Sequence, residues 1–171
     1  MLFGGGSGVR RGRVSVLGGG VAGLCAARVA AGMGADVTVF DVDVARMRYI
    51  DEVWGGRIGT RFSSPLAVRE ACGESDVVIG SVLVPGARTP HLVDHEMVLG
   101  MVPGSVLVDV AVDQGGCFED SHPTTHADPT FVVGGSVFYC VANMPGAVPH
   151  TSTYALTNAT MRYVLLLADE G

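Results

Sequence analysis

Short runs of branched apolar residues alternate along the chain with longer segments of helix-like composition. The apolar runs predict strands at 14–17, 36–40, 57–62, 76–83 and 105–112, and the segments between them predict helices at 22–33, 44–51, 65–71 and 94–99. The runs are nearly continuous in Val and Ile, which is typical of strands covered on both faces. The alternation therefore predicts an α/β fold, a Rossmann-type doubly wound parallel β-sheet with helices on both faces.

The pattern changes after Gly116. Residues 117–130 are polar and rich in turn formers, which predicts a long loop, and 131–133 and 136–142 predict two further strands. The tail predicts a helix with a Thr or Ser N-cap near Thr151 and its end at Gly171. We expect one domain spanning 1–171, with residues 1–13 as a poorly defined lead-in.

Composition and charge narrow the class of protein. The 171 residues are 48% hydrophobic and 16% charged, which indicates a globular chain. The net charge of −6 argues against nucleic acid and anionic membranes as partners. The sequence has no apolar run near the roughly 18–20 residues of a membrane span, and the N-terminal basic residues follow the apolar ones, the reverse of a secretory signal. We therefore expect a cytoplasmic protein.

The four cysteines are scattered, with no C-x-x-C pair and no tight Cys/His spacing. This spacing gives little support to a disulfide framework or a zinc site. We predict buried free thiols at these positions and no metal site. The cysteines are Cys25, Cys72, Cys117 and Cys140.

A glycine-rich loop follows the first predicted strand directly. Gly18, Gly20 and Gly23 satisfy G-x-G-x-x-G, with Val21 and Ala22 between the last two, and a helix of small residues follows. Gly18 permits the tight turn, Gly20 lets a pyrophosphate approach the backbone, and Gly23 lets the helix pack closely on the sheet. The helix N-terminus supplies N–H donors and a favourable dipole. Because a strand precedes the loop and a helix follows it, the motif predicts dinucleotide binding.

An acidic residue ends the second predicted strand. Asp41 lies eighteen positions after Gly23, close to the spacing at which an acid binds the ribose hydroxyls of NAD. A carboxylate there would repel the extra phosphate of NADP, although Arg46 and Arg48 lie nearby. The alternative is that Asp41 and Asp43 are ordinary acids around a helix start. The combined loop, strand and spacing favour NAD (NADH) as the cofactor.

Two further acids lie in the stretch "VDVAVDQGG". Asp113 ends the predicted fifth strand, at the edge of a parallel sheet where ligand sites open, and a carboxylate there could transfer protons. Asp109 lies inside the apolar strand, where a carboxylate needs a partner that the sequence does not reveal.

From about residue 14 to the end, the sequence resembles the NAD-binding domain of the alanine dehydrogenase/pyridine nucleotide transhydrogenase family. The resemblance is carried by "VLGGGVAG", "GMGADVTVFDVD", "DVVIGSVLVPGARTP", "MVPGSVLVDVAVDQGG", "TTHADPTF" and "YCVANMPGAVPHTSTYALTNATM". It implies oxidative deamination of L-alanine to pyruvate and ammonium with NAD, and the reverse reaction. The "GGRIGTRFSS" connection and "DQGG" are more similar to the alanine dehydrogenases than to the transhydrogenase α-subunit, which stays an alternative.

The resemblance also implies roles for individual residues. Asp113 corresponds to the catalytic aspartate and Asp41 to the ribose-binding acid. The remaining cofactor contacts that it implies are Arg46, Ser63, Val82, Leu83, Val141, Asn143 and Met144, the last three against the nicotinamide. Without the resemblance, "NMPG" would read as a simple turn before a helix.

The family's substrate-binding domain, with its catalytic His, does not occur in this sequence, so we expect the chain alone to be inactive. His91, His95, His122 and His126 are predicted to be surface or loop histidines, and His150 takes a position that is basic in the family. Family members form homo-oligomers, so association with another copy or with full-length subunits is expected. A non-catalytic NAD-binding or association module is the third alternative.

Overall fold

The computed structural model describes residues 2–84, 86 and 89–170, and these form a seven-stranded sheet with helices around it. The strands are β1 Arg13–Leu17, β2 Asp36–Asp41, β3 Gly59–Phe62, β4 Val77–Gly80, β5 Val106–Asp109, β6 Thr130–Val133 and β7 Ser136–Tyr139. The helices are α1 Val21–Gly32, α2 Val44–Trp54, α3 Pro65–Glu74, α4 His95–Leu99 and α5 Pro149–Glu170. Two 3₁₀ turns span Val112–Gln114 and Met144–Ala147.

The strand order is β3-β2-β1-β4-β5-β7-β6. All neighbouring strands pair in parallel except β6, which pairs antiparallel with β7 through a turn at Gly134 and Gly135. The order reverses between β1 and β4, and in an open α/β sheet this switch point is where ligands bind. The predicted doubly wound sheet is confirmed, with an antiparallel strand added at one edge.

Two apolar layers cover the two faces of the sheet. On one face α1 and α2 pack on β1 and β2, with a core that includes Val14, Val39 and Ile50. On the other face α3 and α4 pack with Leu17, Phe40, Leu107 and Phe138. The predicted helices on both faces are therefore confirmed. Burial of each such side chain stabilises the fold by about 1.5–3 kcal/mol relative to leaving it exposed.

Side-chain caps begin three of the helices. Asp43 accepts from Ala45 N and Arg46 N at the start of α2, Ser64 from Ala67 N at α3, and Asp94 from Met97 N at α4. Such caps satisfy N–H groups that have no partner inside the helix. α1 differs, because its N-cap is Gly20 and no side chain bonds its first turn.

Several predicted boundaries are wrong by a few residues. The strand predicted at 105–112 ends at Asp109, because the Asp109 carboxyl group accepts from Ala111 N and the chain enters a 3₁₀ turn. The strand predicted at 76–83 spans only Val77–Gly80, and that predicted at 57–62 begins at Gly59. α2 continues to Trp54, where Gly55 ends it in the left-handed conformation.

The C-terminal part also departs from its prediction. α5 begins at Pro149, so Thr151 and Ser152 lie inside the helix and neither is its N-cap. The predicted end at Gly171 lies outside the described residues. The segment predicted as a polar loop at 117–130 is a loop as far as Pro129, and only Thr130 belongs to β6. Its first two residues, Cys117 and Phe118, anchor it because they are fully buried in the core.

α5 stands out among the helices because none of its residues is buried. Its exposed apolar side chains include Leu156, Val164, Leu165, Leu166 and Leu167. Within the described part of the chain, no helix is long and apolar enough to span a membrane.

Candidate functional site

The glycine loop joins β1 to α1 at the switch point of the sheet. Gly18 has a φ of 100°, which favours glycine, and its N–H donates to Phe40 O over 2.8 Å. A Cβ at Gly23 would overlap the Gly18 carbonyl oxygen and Ser81 Oγ, so only glycine lets α1 lie this close to the loop. A Cβ at Gly20 would meet nothing within 4 Å. The three glycines therefore have the steric properties that the motif predicts.

The sequence interpretation missed one residue that supports this loop. Ser81 follows β4, and its hydroxyl lies 2.9 Å from Leu17 O and 3.0 Å from Gly18 O. The hydroxyl thus ties the end of β4 to the end of β1, next to Gly23. The only sequence signal is a polar residue directly after a buried strand.

Asp41 ends β2, as predicted, and its carboxyl group contacts the glycine loop. Oδ2 accepts from Gly19 N over 2.6 Å, and Oδ1 accepts from Asp43 N over 2.9 Å. The Arg46 side chain lies on the same side, since its Cγ is 3.2 Å from a Cβ placed at Gly19. Asp41 thus lies beside the loop, as the spacing predicts, and so does Arg46, which the resemblance implied.

The start of α1 is free to bind an anion. The helix dipole and the uncapped N–H groups of the first turn favour a phosphate, and Gly20 leaves open space there. Val21 and Ala22, in the same turn, are exposed. These features fit the pyrophosphate and ribose of a dinucleotide.

The other residues predicted for this half of the site lie around the same edge. Ser63 follows β3, and its N–H donates to Asp41 O over 2.9 Å. Val82 follows β4, with its Cγ2 3.1 Å from a Cβ placed at Gly18. Leu83 is next and is 56% exposed.

Asp113 lies beyond the carboxyl end of β5, inside the 3₁₀ turn, and is exposed. The prediction that it ends the strand is wrong, because the last strand residue is Asp109. Asp109 is fully buried and has the partners that the sequence could not reveal. Its carboxyl group accepts from Ala111 N at 3.0 Å, Cys117 N at 2.8 Å and Ser121 Oγ at 2.5 Å.

The predicted nicotinamide segment follows β7. Val141 is buried and pairs with Thr124 in a parallel bridge. Asn143 has a φ of 57° and a ψ of 51°, an uncommon conformation for a residue other than glycine. Its carbonyl oxygen lies 3.1 Å from His126 Nε2. Met144 follows and is partly exposed. Because β4, β5 and β7 are parallel, the segments that follow these strands all lie along the carboxyl edge of the sheet.

The four histidines predicted to lie on the surface or in loops, His91, His95, His122 and His126, all retain exposed surface. His91, His122, His126 and His150 are exposed. His95 is partly buried on α4, with Nδ1 3.0 Å from both oxygens of Asp120. The hydrogen bond that the ring donates to Asp120 raises the pKa of His95.

Three of the four cysteines are buried, as predicted, whereas Cys25 is exposed. Burial raises the pKa of the Cys72 and Cys117 thiols to about 12, which keeps them protonated and unreactive near neutral pH. Within residues 2–84, 86 and 89–170, no group of three or more His, Cys, Asp and Glu could hold a metal ion.

The strand order, the glycine loop and the acid at the end of β2 define a Rossmann-type dinucleotide-binding domain. All of residues 1–171 match the family described as alanine dehydrogenase/PNT, C-terminal domain. The chain belongs to this family and is its NAD-binding C-terminal domain.

Individual relatives agree with this assignment. The chain is 62% identical over its whole length to an alanine dehydrogenase of Mycolicibacterium smegmatis and 58% identical to one of Halomonas elongata. It spans 46% of the length of each, so less than half of these relatives is represented.

Two solved structures of related proteins differ in how closely they resemble this chain. An L-alanine dehydrogenase superposes with a TM-score of 0.94 at 51% identity, covering 99% of this chain and 47% of that one. A transhydrogenase from Sinorhizobium meliloti superposes with a TM-score of 0.71 at 34% identity, covering 82% and 40%. The chain is therefore more similar to this alanine dehydrogenase than to the transhydrogenase.

Proposed function

We propose that this chain binds NAD(H) along the carboxyl edge of its sheet and forms the cofactor-binding part of an L-alanine dehydrogenase. The observation that carries the proposal is the uncapped start of α1 beside Asp41, whose carboxyl group lies 2.6 Å from Gly19 N. An anion-binding helix start next to an acid is the arrangement that a pyrophosphate and a ribose diol require.

The adenosine half of the cofactor is proposed to bind over β1, β2 and β3. Asp41 would accept from the ribose hydroxyls, and Arg46 would lie beside them. The proposed contacts with the pyrophosphate, ribose and adenine are Gly18, Gly20, Val21, Ala22, Gly23, Ser63, Val82 and Leu83.

The nicotinamide half is proposed to bind over β4, β5 and β7. The Asn143 side-chain amide can pair with the carboxamide, and Met144 and Val141 offer apolar surface to the ring. Asp113 is the proposed acid–base group, because exposed carboxylates at this edge can exchange protons with a bound substrate.

The proposed reaction of the complete protein consumes L-alanine, NAD⁺ and water and releases pyruvate, ammonium, NADH and a proton. NAD⁺ supplies the hydride acceptor, and the residues of this chain hold it and exclude water around the ring. The chain spans less than half of its relatives' length, and substrate binding is proposed to need the part of those proteins that this chain does not match. We expect the chain alone to bind NADH without oxidising alanine.

Replacement of Asp41 tests the ribose contact. Asp41→Ala should weaken NADH binding by roughly 10- to 100-fold, since a hydrogen bond to a charged group contributes about 1.5–3 kcal/mol. It should also raise the affinity for NADPH relative to NADH. Fluorescence titration of both nucleotides measures the change, and Asp36→Ala, at the opposite end of β2, is the control. Unchanged NADH affinity in Asp41→Ala would refute the ribose assignment.

A fusion tests the proposed activity. Joined to the remaining length of the Mycolicibacterium smegmatis relative, the chain should oxidise L-alanine, followed by NADH absorbance. Asp113→Asn in the fusion should lower kcat by about 10²–10⁴-fold, as expected for the loss of an acid–base group. Full activity in that variant would return Asp113 to a structural role, and Asp128→Asn, an exposed acid in the 117–130 segment, is the control.

A second proposal concerns partners. Residues 163–167 of α5 are all apolar, so this turn of the helix is apolar on every side, and such a segment is normally buried, yet no residue of α5 is buried. We infer that α5 associates with another copy of the chain or with full-length subunits. The transhydrogenase alternative has less support, given its lower identity and TM-score. A cytoplasmic location stays a prediction from the sequence.

A further inference from the structure

Within the described part of the chain, Asp109 is the buried acid, and its carboxyl group accepts three hydrogen bonds. The proposed mechanism gives it no role. Asp109 is the last residue of β5 and has no exposed surface. Three donors, Ala111 N, Cys117 N and Ser121 Oγ, lie within 3.0 Å of its two oxygens. Burial of an acid is costly unless its oxygens are hydrogen-bonded. The segments that supply these donors are therefore held in a fixed position around Asp109.

The two backbone donors lie at the two ends of one segment. Ala111 N and Cys117 N both reach the same carboxyl group, so the chain between them forms a closed loop. Asp113 lies within that loop, and the loop returns through Gly115 and Gly116, which have φ values of 104° and 79°. A Cβ at Gly116 would stand 2.9 Å from Asp109 Oδ2, so the loop is packed against this acid.

The third donor extends the connection to the next strand. Ser121 Oγ donates to Asp109, and Cys140 Sγ lies 3.8 Å from that hydroxyl. Cys140 directly precedes Val141 at the end of β7. One buried group thus joins the segments that follow β5 and β7, and both segments belong to the half of the edge that is proposed to hold the nicotinamide.

We propose that Asp109 is a positioning residue for the nicotinamide half of the site, acting through the Asp113 loop and the Val141 segment. This inference rests on the proposed NAD(H) site. The adenosine half is proposed to be held by different groups, Asp41 at the end of β2 and the glycine loop after β1, and within the described residues neither forms a hydrogen bond with Asp109. Replacement of Asp109 should therefore weaken the binding of the nicotinamide half of the dinucleotide and leave the binding of the adenosine half unchanged.

The test compares two nucleotides that share the adenosine half. NADH and ADP-ribose, which lacks the nicotinamide, are titrated into the wild-type chain, Asp109→Asn and Ser121→Ala. The two variants should bind NADH about tenfold more weakly, because the Asp113 loop and the Val141 segment are no longer held in the arrangement that binds the nicotinamide. Their affinity for ADP-ribose should stay within about twofold of the wild type.

Asp76→Asn is the matched control. Asp76 precedes β4, at the opposite edge of the sheet, and also accepts several bonds, from Arg10 Nη1 and Nη2 and from Arg13 N. This variant should lower stability and leave the ratio of NADH to ADP-ribose affinity unchanged. A role in stability alone would make Asp109→Asn behave in the same way.

The outcomes separate the two proposals. Equal weakening of both nucleotides, or an unchanged affinity ratio in both variants, would overturn the positioning role while the NAD(H) site stands. If the wild-type chain binds neither nucleotide, the proposed function fails and the inference fails with it. If Asp109→Asn does not fold, Ser121→Ala decides, because it removes only one of the three bonds.

Discussion

Gly20 and Gly23 lie three positions apart in one motif, the first as the N-cap of α1 and the second in its first turn, yet a methyl group would meet very different surroundings at each. At Gly23 it would overlap the Gly18 carbonyl oxygen and Ser81 Oγ, whereas at Gly20 it would meet open space. The first glycine is therefore required by the packing of the protein, and the second is available for contact with a ligand.

Alanine at each position should separate these roles. Gly23→Ala should destabilise the chain by about 1–3 kcal/mol, the usual cost of overpacking, measured by urea unfolding. Gly20→Ala should unfold like the wild type, because its φ of −66° suits alanine, and should lose NADH affinity where the pyrophosphate approaches. Wild-type NADH affinity in Gly20→Ala would contradict the phosphate site.

At the scale of elements, α4 is joined to the segment after β5 by charged groups. The His95 ring on α4 pairs with Asp120, and the backbone N–H of His95 donates to Glu119 Oε2 over 2.9 Å. The hydrogen bond and charge of Asp120 raise the pKa of His95, with smaller contributions from Glu96 and Glu119. The pair therefore links the protonation of His95 to the packing of α4 against the segment that follows β5.

The raised pKa of His95 predicts how stability depends on pH. The folded chain binds the proton more tightly than the unfolded chain, so the contribution is complete below the unfolded pKa of about 6.5. It is lost as the pH rises through the raised folded pKa. Urea unfolding across this range should show a steeper loss in the wild type than in Asp120→Asn. His122→Gln is the control and should keep the wild-type slope; equal slopes in wild type and Asp120→Asn would contradict the prediction.

At the scale of the whole molecule, α5 carries five consecutive exposed apolar residues at 163–167 that no other described element covers. Leu156, Leu166 and Leu167 are 65%, 56% and 73% exposed. Monomeric proteins rarely leave a continuous apolar surface of this kind open to water.

The α5 surface predicts self-association in solution. Light scattering at tens of micromolar should give a mass above that of the 17.6 kDa chain. Leu166→Asp should shift the mass towards the monomer, because it places a charge in the apolar contact. Leu66→Asp on α3, which is 65% exposed against 56% for Leu166, should leave the mass unchanged. A monomeric wild type at every concentration would refute self-association through α5.

Much of the fold, and the positions of the glycine loop and Asp41 at its carboxyl edge, could be predicted from the chain alone. G-x-G-x-x-G imposes local backbone geometry, and Asp41 falls at the end of the next strand, so short-range spacing places both at one edge. The two faces of the sheet followed from continuous apolar runs. These features depend on residues close in sequence, or on the regular register of parallel strands.

The rest depended on contacts between residues far apart in sequence. Tertiary structure alone decided that β7 lies between β5 and β6, that Asp109 ends its strand and that His95 meets Asp120. Periodicity marks an apolar run but not the residue at which a side chain takes the next backbone N–H. The sequence by itself determined a dinucleotide-binding fold with its glycine loop and acid, because local backbone geometry specifies them. Only the folded chain decided what holds the Asp113 loop, because Ser121 reaches Asp109, and Cys140 reaches Ser121, through packing that no spacing encodes.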